Sequence, residues 1–166
     1  MQIPRYSLQR GRVLCCVVSK IWREGQTKII CNYDLDLGLR ITRKVYTLLG
    51  MPVENIYADF TSYDLIGENN NEIIKQLTDM KFEVIIGNPP YQEEDGGAGA
   101  SAKPIYNQFV DVSKEVLPSY LCIIMPSRWM AGGKGLDEFR SAMLNDKHIV
   151  ELHDFMHPED VFPQYE

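Results

Sequence analysis

Asn88-Pro89-Pro90-Tyr91 is the segment of this chain whose residue types and order are best suited to chemistry. Two consecutive prolines remove two backbone donors and fix φ, which leaves a rigid turn whose preceding carbonyls face outward as acceptors. Asn88 adds a side-chain carbonyl, so the turn can take both hydrogens of an exocyclic amine. Tyr91 offers a flat face for the ring that carries the amine. Two acceptors on an amine conjugated to an aromatic ring pull its nitrogen toward a tetrahedral, more nucleophilic form as it attacks. No strong base or covalent nucleophile is required. A bare Pro-Pro turn is more often a structural cap on a strand. The position of this one, directly after the apolar run 82–86, favours chemistry, because ligands of open α/β sheets gather at the carboxyl ends of strands.

The elements that must hold this turn alternate short apolar runs with longer amphipathic ones, the pattern of an α/β fold with a mostly parallel sheet and flanking helices. Residues 13–22 are too short a run for periodicity to separate a helix packed on the sheet from a short strand, and the helix is the reading preferred here. Residues 28–33 read as a strand ending at Asp34 and Asp36, followed by a helix over 39–49 closed by Gly50. A strand over 55–60 ends at Asp59; a helix over 73–80 leads into the strand 82–86. Residues 92–103 have no apolar period and read as a mobile surface loop closed by Pro104. Beyond it the pattern predicts a helix over 106–116, a strand over 120–125, a helix over 136–144 and a last strand over 149–155.

At 166 residues, 45% hydrophobic, the chain is sized for one domain. The net charge of -6 and pI near 5.1 argue against gripping nucleic acid by bulk electrostatics, so any such grip is local or supplied elsewhere. Val13 to Val18 is far short of a membrane helix and lacks the flanks of a signal peptide, so the chain reads as soluble and cytoplasmic. Cys15, Cys16, Cys31 and Cys122 have neither zinc-site nor disulfide-scaffold spacing and read as buried free thiols. His148, His153 and His157 are followed by Pro158, which breaks any helix that would align a metal pair, so no metal site is expected. Trp22 and Trp129 read as packing residues, and Lys103 and Arg128 as surface cations.

Phe-Glu-Val-Ile-Ile-Gly-Asn-Pro-Pro-Tyr, residues 82–91, resembles the catalytic motif of the amino-group methyltransferases, and within them the N6-adenine DNA methyltransferases of restriction-modification systems. Tyr-Asn-Gln-Phe-Val-Asp from Tyr106 and Met-Pro-Ser-Arg-Trp-Met from Met125 are similar to the segments downstream of the motif in those enzymes. The resemblance runs from about Lys28 onward. It implies a Rossmann-like methyltransferase fold, S-adenosylmethionine as methyl donor, and Asn88, Pro89, Pro90 and Tyr91 as the catalytic turn. DNA is the implied partner, its adenine flipped out of the stack onto Tyr91. Asp34 resembles the acid that pairs with the donor's ribose hydroxyls, while Asp36 fits the N-cap of the helix at Leu39 better. Asp59 resembles the acceptor for the donor's adenine amine, with Phe60 packing on the adenine ring.

The pattern also departs from that family. Its first strand and glycine-rich turn are not found, since Gly11 and Gly25 are isolated. The chain is therefore expected either to begin within the following helix or to carry a degenerate turn. No room remains for a target-recognition domain, so 1–166 reads as a partial catalytic domain with 1–27 unassigned. Further domains or subunits of a restriction-modification enzyme would supply the basic surface. Such a fragment is expected to bind the donor weakly and to be a poor catalyst alone. Related turns serve enzymes that methylate a release-factor glutamine or a ribosomal RNA guanine; the loop 92–103 and Pro-Ser-Arg-Trp favour DNA. A reading from another class is a non-catalytic methyltransferase-like part of a restriction complex.

Overall fold

The computed structural model describes residues 13–16, 27–30, 35–57, 59–93 and 102–157. Five short strands, β1 (Val13–Cys16), β2 (Thr27–Ile30), β3 (Ile56–Tyr57), β4 (Val84–Gly87) and β5 (Tyr120–Ile123), form one sheet in the order β3-β2-β1-β4-β5. Every pairing is parallel, as the α/β reading expects. Helices α1 (Leu35–Leu48), α2 (Asn71–Asp79) and α3 (Tyr106–Glu115) accompany the sheet in one compact unit, Met1–Met125. Helix α4 (Asp137–Asn145) belongs to a second, Pro126–Glu166.

The register aligns the carboxyl ends: Tyr57 pairs with Ile30, Ile30 with Cys16, Cys16 with Gly87, and Gly87 with Ile123. Strands are added to one side of β1 and then to the other. The ends of β1 and β4 therefore flank the topological switch point, where open parallel sheets place their ligands.

Several expectations are corrected. Residues 13–16 are a strand, not the start of a helix, and β1 lies in the middle of the sheet, paired on both sides. A central parallel strand is covered on both faces and reads as an unbroken apolar run, which is why Val-Leu-Cys-Cys has no period to distinguish it from a helix. The short-strand alternative is the one the structure bears out. Residues 17–26, in which Gly25 is the one glycine, lie outside the described residues. Helix α1 begins at Leu35, so Asp36 lies in its first turn and is not its cap. Residues 149–155 form no strand; Val150 is 93% exposed, and an extended segment without a neighbour has nowhere to place its backbone hydrogen bonds except water. Cys122 is a free thiol but exposed, on the uncovered face of edge strand β5.

Helix α1 stops where the sequence says it must. Gly50 takes φ +66, its N–H donates to the Thr47 carbonyl (3.2 Å) and the Met51 N–H to the Tyr46 carbonyl (2.9 Å), a Schellman cap. Met51 then packs beside Tyr46 and Ile56, which ties the helix end to β3. The main core lies under α2 and α3: Leu77 and Val112 from the helices meet Phe60, Leu65, Phe82 and Ile85. Burying a side chain such as Leu77 stabilises the fold by about 1.5–3 kcal/mol. In the second unit Trp129 is buried, as expected, edge-on to Phe139 with ring centroids 6.0 Å apart, and Arg140 Nε donates to the Met130 carbonyl (2.8 Å).

Candidate active site

Strand β4 delivers the Asn-Pro-Pro-Tyr turn to the switch point. The sheet ladder persists through its last residue, since the Ile124 N–H donates to the Gly87 carbonyl (2.9 Å), and stops where the prolines begin. Among the described residues no backbone N–H donates to the Asn88 or Pro89 carbonyl. Asn88 Oδ1 is buried and has no hydrogen-bond partner, an arrangement that costs about 1–3 kcal/mol for a polar group left unpaired. Burial pushes the neighbouring Tyr91 phenol above its ordinary value, and the Asn88 side chain works in the opposite direction.

Tyr91, 37% exposed, is fixed from behind. Its carbonyl accepts from the Ile105 N–H (3.2 Å), the Glu93 N–H donates to the Lys103 carbonyl (3.0 Å), and Gln92 and Pro104 form an antiparallel bridge. This clamp joins both ends of the loop 92–103 at the start of α3; residues 94–101, between them, lie outside the described residues. Beneath buried Pro89 is an apolar cavity of about 20 Å³, bounded by Ile85 and Gly87 on β4 and by Phe109, Val112 and Ser113 on α3. It has room for about one water molecule and none for a ligand-sized group, so it is packing slack under the turn.

The tip of β3 carries Asp59, which is exposed. The turn after it is held by Thr61 and Asp64: Thr61 N–H and Oγ1 both donate to Asp64 Oδ2 (2.6 and 2.8 Å), and the Asp64 N–H returns a longer bond to Thr61 Oγ1 (3.4 Å). Phe60, 7% exposed, points into the main core beside Leu65, Leu77 and Phe82 and anchors that tip. Three strand spacings separate β3 from β4, about 14 Å along the carboxyl edge. Asp34, the remaining expected donor contact, lies outside the described residues.

The structure thus brings Asn88, Pro89, Pro90 and Tyr91 together as one unit and sets Asp59 and Phe60 on the same edge of the sheet. Sequence reading missed two features. The Thr-x-x-Asp spacing of residues 61–64 was open to recognition as a reciprocal capping pattern. Asn107 Oδ1, buried without a partner in the first turn of α3, carries no such signal, because an asparagine near a helix start reads as an ordinary polar residue.

Comparison with known proteins gives a consistent picture. An "uncharacterized adenine-specific methylase" of Mycoplasma pneumoniae (strain ATCC 29342 / M129 / Subtype 1) is 36% identical over 112 residues, 63% of this chain and 26% of that protein. The match thus spans about a quarter of the curated relative's length. No solved structure matches the chain significantly. The family model described as Eco57I restriction-modification methylase matches residues 14–162, which takes in β1 from its second residue, β2 to β5 and helices α1 to α4. The chain belongs to the Eco57I restriction-modification methylase family.

Proposed function

We propose that this chain is part of the catalytic domain of an adenine-specific DNA methyltransferase of a restriction-modification system. The transfer would run from S-adenosylmethionine to the exocyclic N6 amine of adenine. The observation that carries the reading is Asn88 Oδ1, a buried acceptor without a partner on a donor-free turn at the switch point of the sheet. A planar NH2 would supply two hydrogens, for which Oδ1 and a turn carbonyl are chemically suited acceptors. The strand order β3-β2-β1-β4-β5 is that of a Rossmann-like sheet and supports the same fold assignment.

S-Adenosylmethionine would supply an electrophilic methyl carbon on its sulfonium sulfur. Asp59 suits the donor's adenine amine, because its carboxylate is exposed at a strand tip whose backbone is tied down by Thr61 and Asp64. Phe60, anchored in the core, would hold that tip in place rather than pack on the adenine ring, and Asp34 would accept from the ribose hydroxyls. At the other tip Asn88 and the turn carbonyls draw charge toward the amine nitrogen as it attacks, and the methylated amine sheds one proton to solvent. Tyr91 presents its ring to the flipped adenine, and the prolines prevent the turn from closing its own acceptors with backbone N–H groups.

The basic surface that holds duplex DNA, and the element that selects a sequence, would come from further domains or subunits. The net charge of -6 supports that division. No helix among the described residues is long and apolar enough to cross a membrane, and a cytoplasmic location fits a DNA-modifying role. The test is transfer of labelled methyl from S-adenosylmethionine to DNA, ribosomal RNA and release-factor protein in parallel, with this chain joined to its further domains or subunits. Label in DNA recovered as N6-methyladenine supports the reading. Label in RNA or protein alone, or in none of the three, overturns it.

A further inference from the structure

Phe60 is the aromatic that resemblance puts on the donor's adenine ring, yet it is 7% exposed and packed among Leu65, Leu77 and Phe82, so its ring is already covered by the protein itself. A purine held only through its amine, with both faces left in water, forgoes the stacking that gives such rings much of their affinity. Among the described residues of the unit Met1–Met125, three aromatic side chains are exposed: Tyr63, Tyr91 and Tyr120. Tyr120 begins β5 and so stands at the amino edge of the sheet, away from the edge where ligands gather. Tyr91 belongs to the Asn-Pro-Pro-Tyr turn. Tyr63 is the exposed aromatic of the β3 tip.

Burial sorts the residues of that tip. Phe60, Ser62 and Leu65 are buried, whereas Asp59, Tyr63 and Asp64 are exposed, so the carboxylate and the ring both lie on its outward side. The bonds from Thr61 N–H and Oγ1 to Asp64 Oδ2 bracket Tyr63 and hold its backbone in place. Tyr63 also opens a 3-10 turn, Tyr63–Ile66, whose Leu65 bounds the cavity beneath Pro89, which seats the turn toward the Asn-Pro-Pro-Tyr segment. We propose that Tyr63 is a donor-binding residue, its ring stacking on the adenine of S-adenosylmethionine while Asp59 accepts from the adenine amine. This rests on the methyltransferase reading above and deepens it, because the aromatic contact passes from buried Phe60 to an exposed residue on the same tethered turn. A tyrosine has only two χ angles to fix, so covering a ring with it costs little conformational entropy.

The test titrates S-adenosylmethionine into this chain joined to its further domains or subunits, and follows the donor's adenine H2 and H8 protons by NMR in the same samples. Tyr63→Ala should bind the donor about tenfold more weakly than the parent, while Tyr63→Phe and Tyr63→Trp, which keep a ring, bind it about as tightly. The adenine protons should move upfield on binding to the parent and to the two ring-keeping variants, as protons facing an aromatic ring do, and lose that shift with Tyr63→Ala. In methyl transfer, Tyr63→Ala should raise the donor KM and leave kcat unchanged. Parent-like affinity or parent-like adenine shifts in Tyr63→Ala overturn the proposal and leave the methyltransferase reading intact. Binding by Tyr63→Phe and Tyr63→Trp as weak as by Tyr63→Ala overturns it too, because the ring would then not be what the donor meets. A parent that binds no donor removes that reading and this inference together.

Discussion

The tips of β3 and β4 both present a polar side chain at the carboxyl edge of the same parallel sheet, yet they are built in opposite ways. At β3 the carboxylate of Asp59 is exposed and its surroundings are satisfied, with Thr61 and Asp64 closing on each other and Phe60 anchored in the core. At β4 the acceptor oxygen of Asn88 is buried and left open, on a turn that cannot supply donors of its own. A solvated carboxylate suits reversible binding of a small molecule, because water releases it readily. A desolvated acceptor suits the reacting amine, because its pull is strongest where dielectric screening is weakest and needs no reorganisation as charge develops.

The sharpest way to break this contrast is at β4. Asn88→Ala should slow methyl transfer about a hundred- to a thousandfold, the effect of deleting a preorganised polar group aimed at developing charge, with circular dichroism unchanged and thermal stability undiminished. Equal rates for variant and parent would show that Asn88 Oδ1 is not the acceptor. Both tips share one support, since Leu77 packs in the cluster that holds Phe60 and Ile85. Leu77→Ala should therefore destabilise the unit by about 2–5 kcal/mol in urea unfolding, and loosen the two sites together. Thr61→Ala acts on the β3 tip alone: it removes the hydroxyl bond to Asp64 and should cost about 1 kcal/mol, with donor affinity reduced and transfer from bound donor unchanged.

The smallest effect is alkaline. Burial holds the Tyr91 phenol above its ordinary value, so the folded state resists its ionisation more than the unfolded chain does. The stability this represents is fully present below the unfolded value and is lost as pH rises through the folded one. Melting temperatures followed into that range should fall less steeply for Tyr91→Phe than for the parent; identical slopes would mean the phenol is not desolvated.

The sequence made the β4 tip legible because its parts are consecutive: an apolar run, then Asn-Pro-Pro-Tyr, and nothing distant is needed to recognise it. The strand ahead of Asp59 was legible for the same reason. The position of β1 was not, because a strand buried by neighbours on both sides has no alternation to display, and its pairing with β4 joins residues some seventy positions apart. The last apolar run, 149–155, shows the converse error, since composition favours a strand but only a neighbour makes one. The clamp from Tyr91 to Ile105 depends on how a loop closes on itself, which residue types alone do not specify.

The most direct test of two tips with separate tasks is calorimetric titration of S-adenosylmethionine into the parent chain, Asp59→Ala and Asn88→Ala side by side. The account predicts weak saturable binding by the parent, an affinity about tenfold lower in Asp59→Ala and an unchanged affinity in Asn88→Ala. Equal loss in both variants, or none in Asp59→Ala, would contradict it.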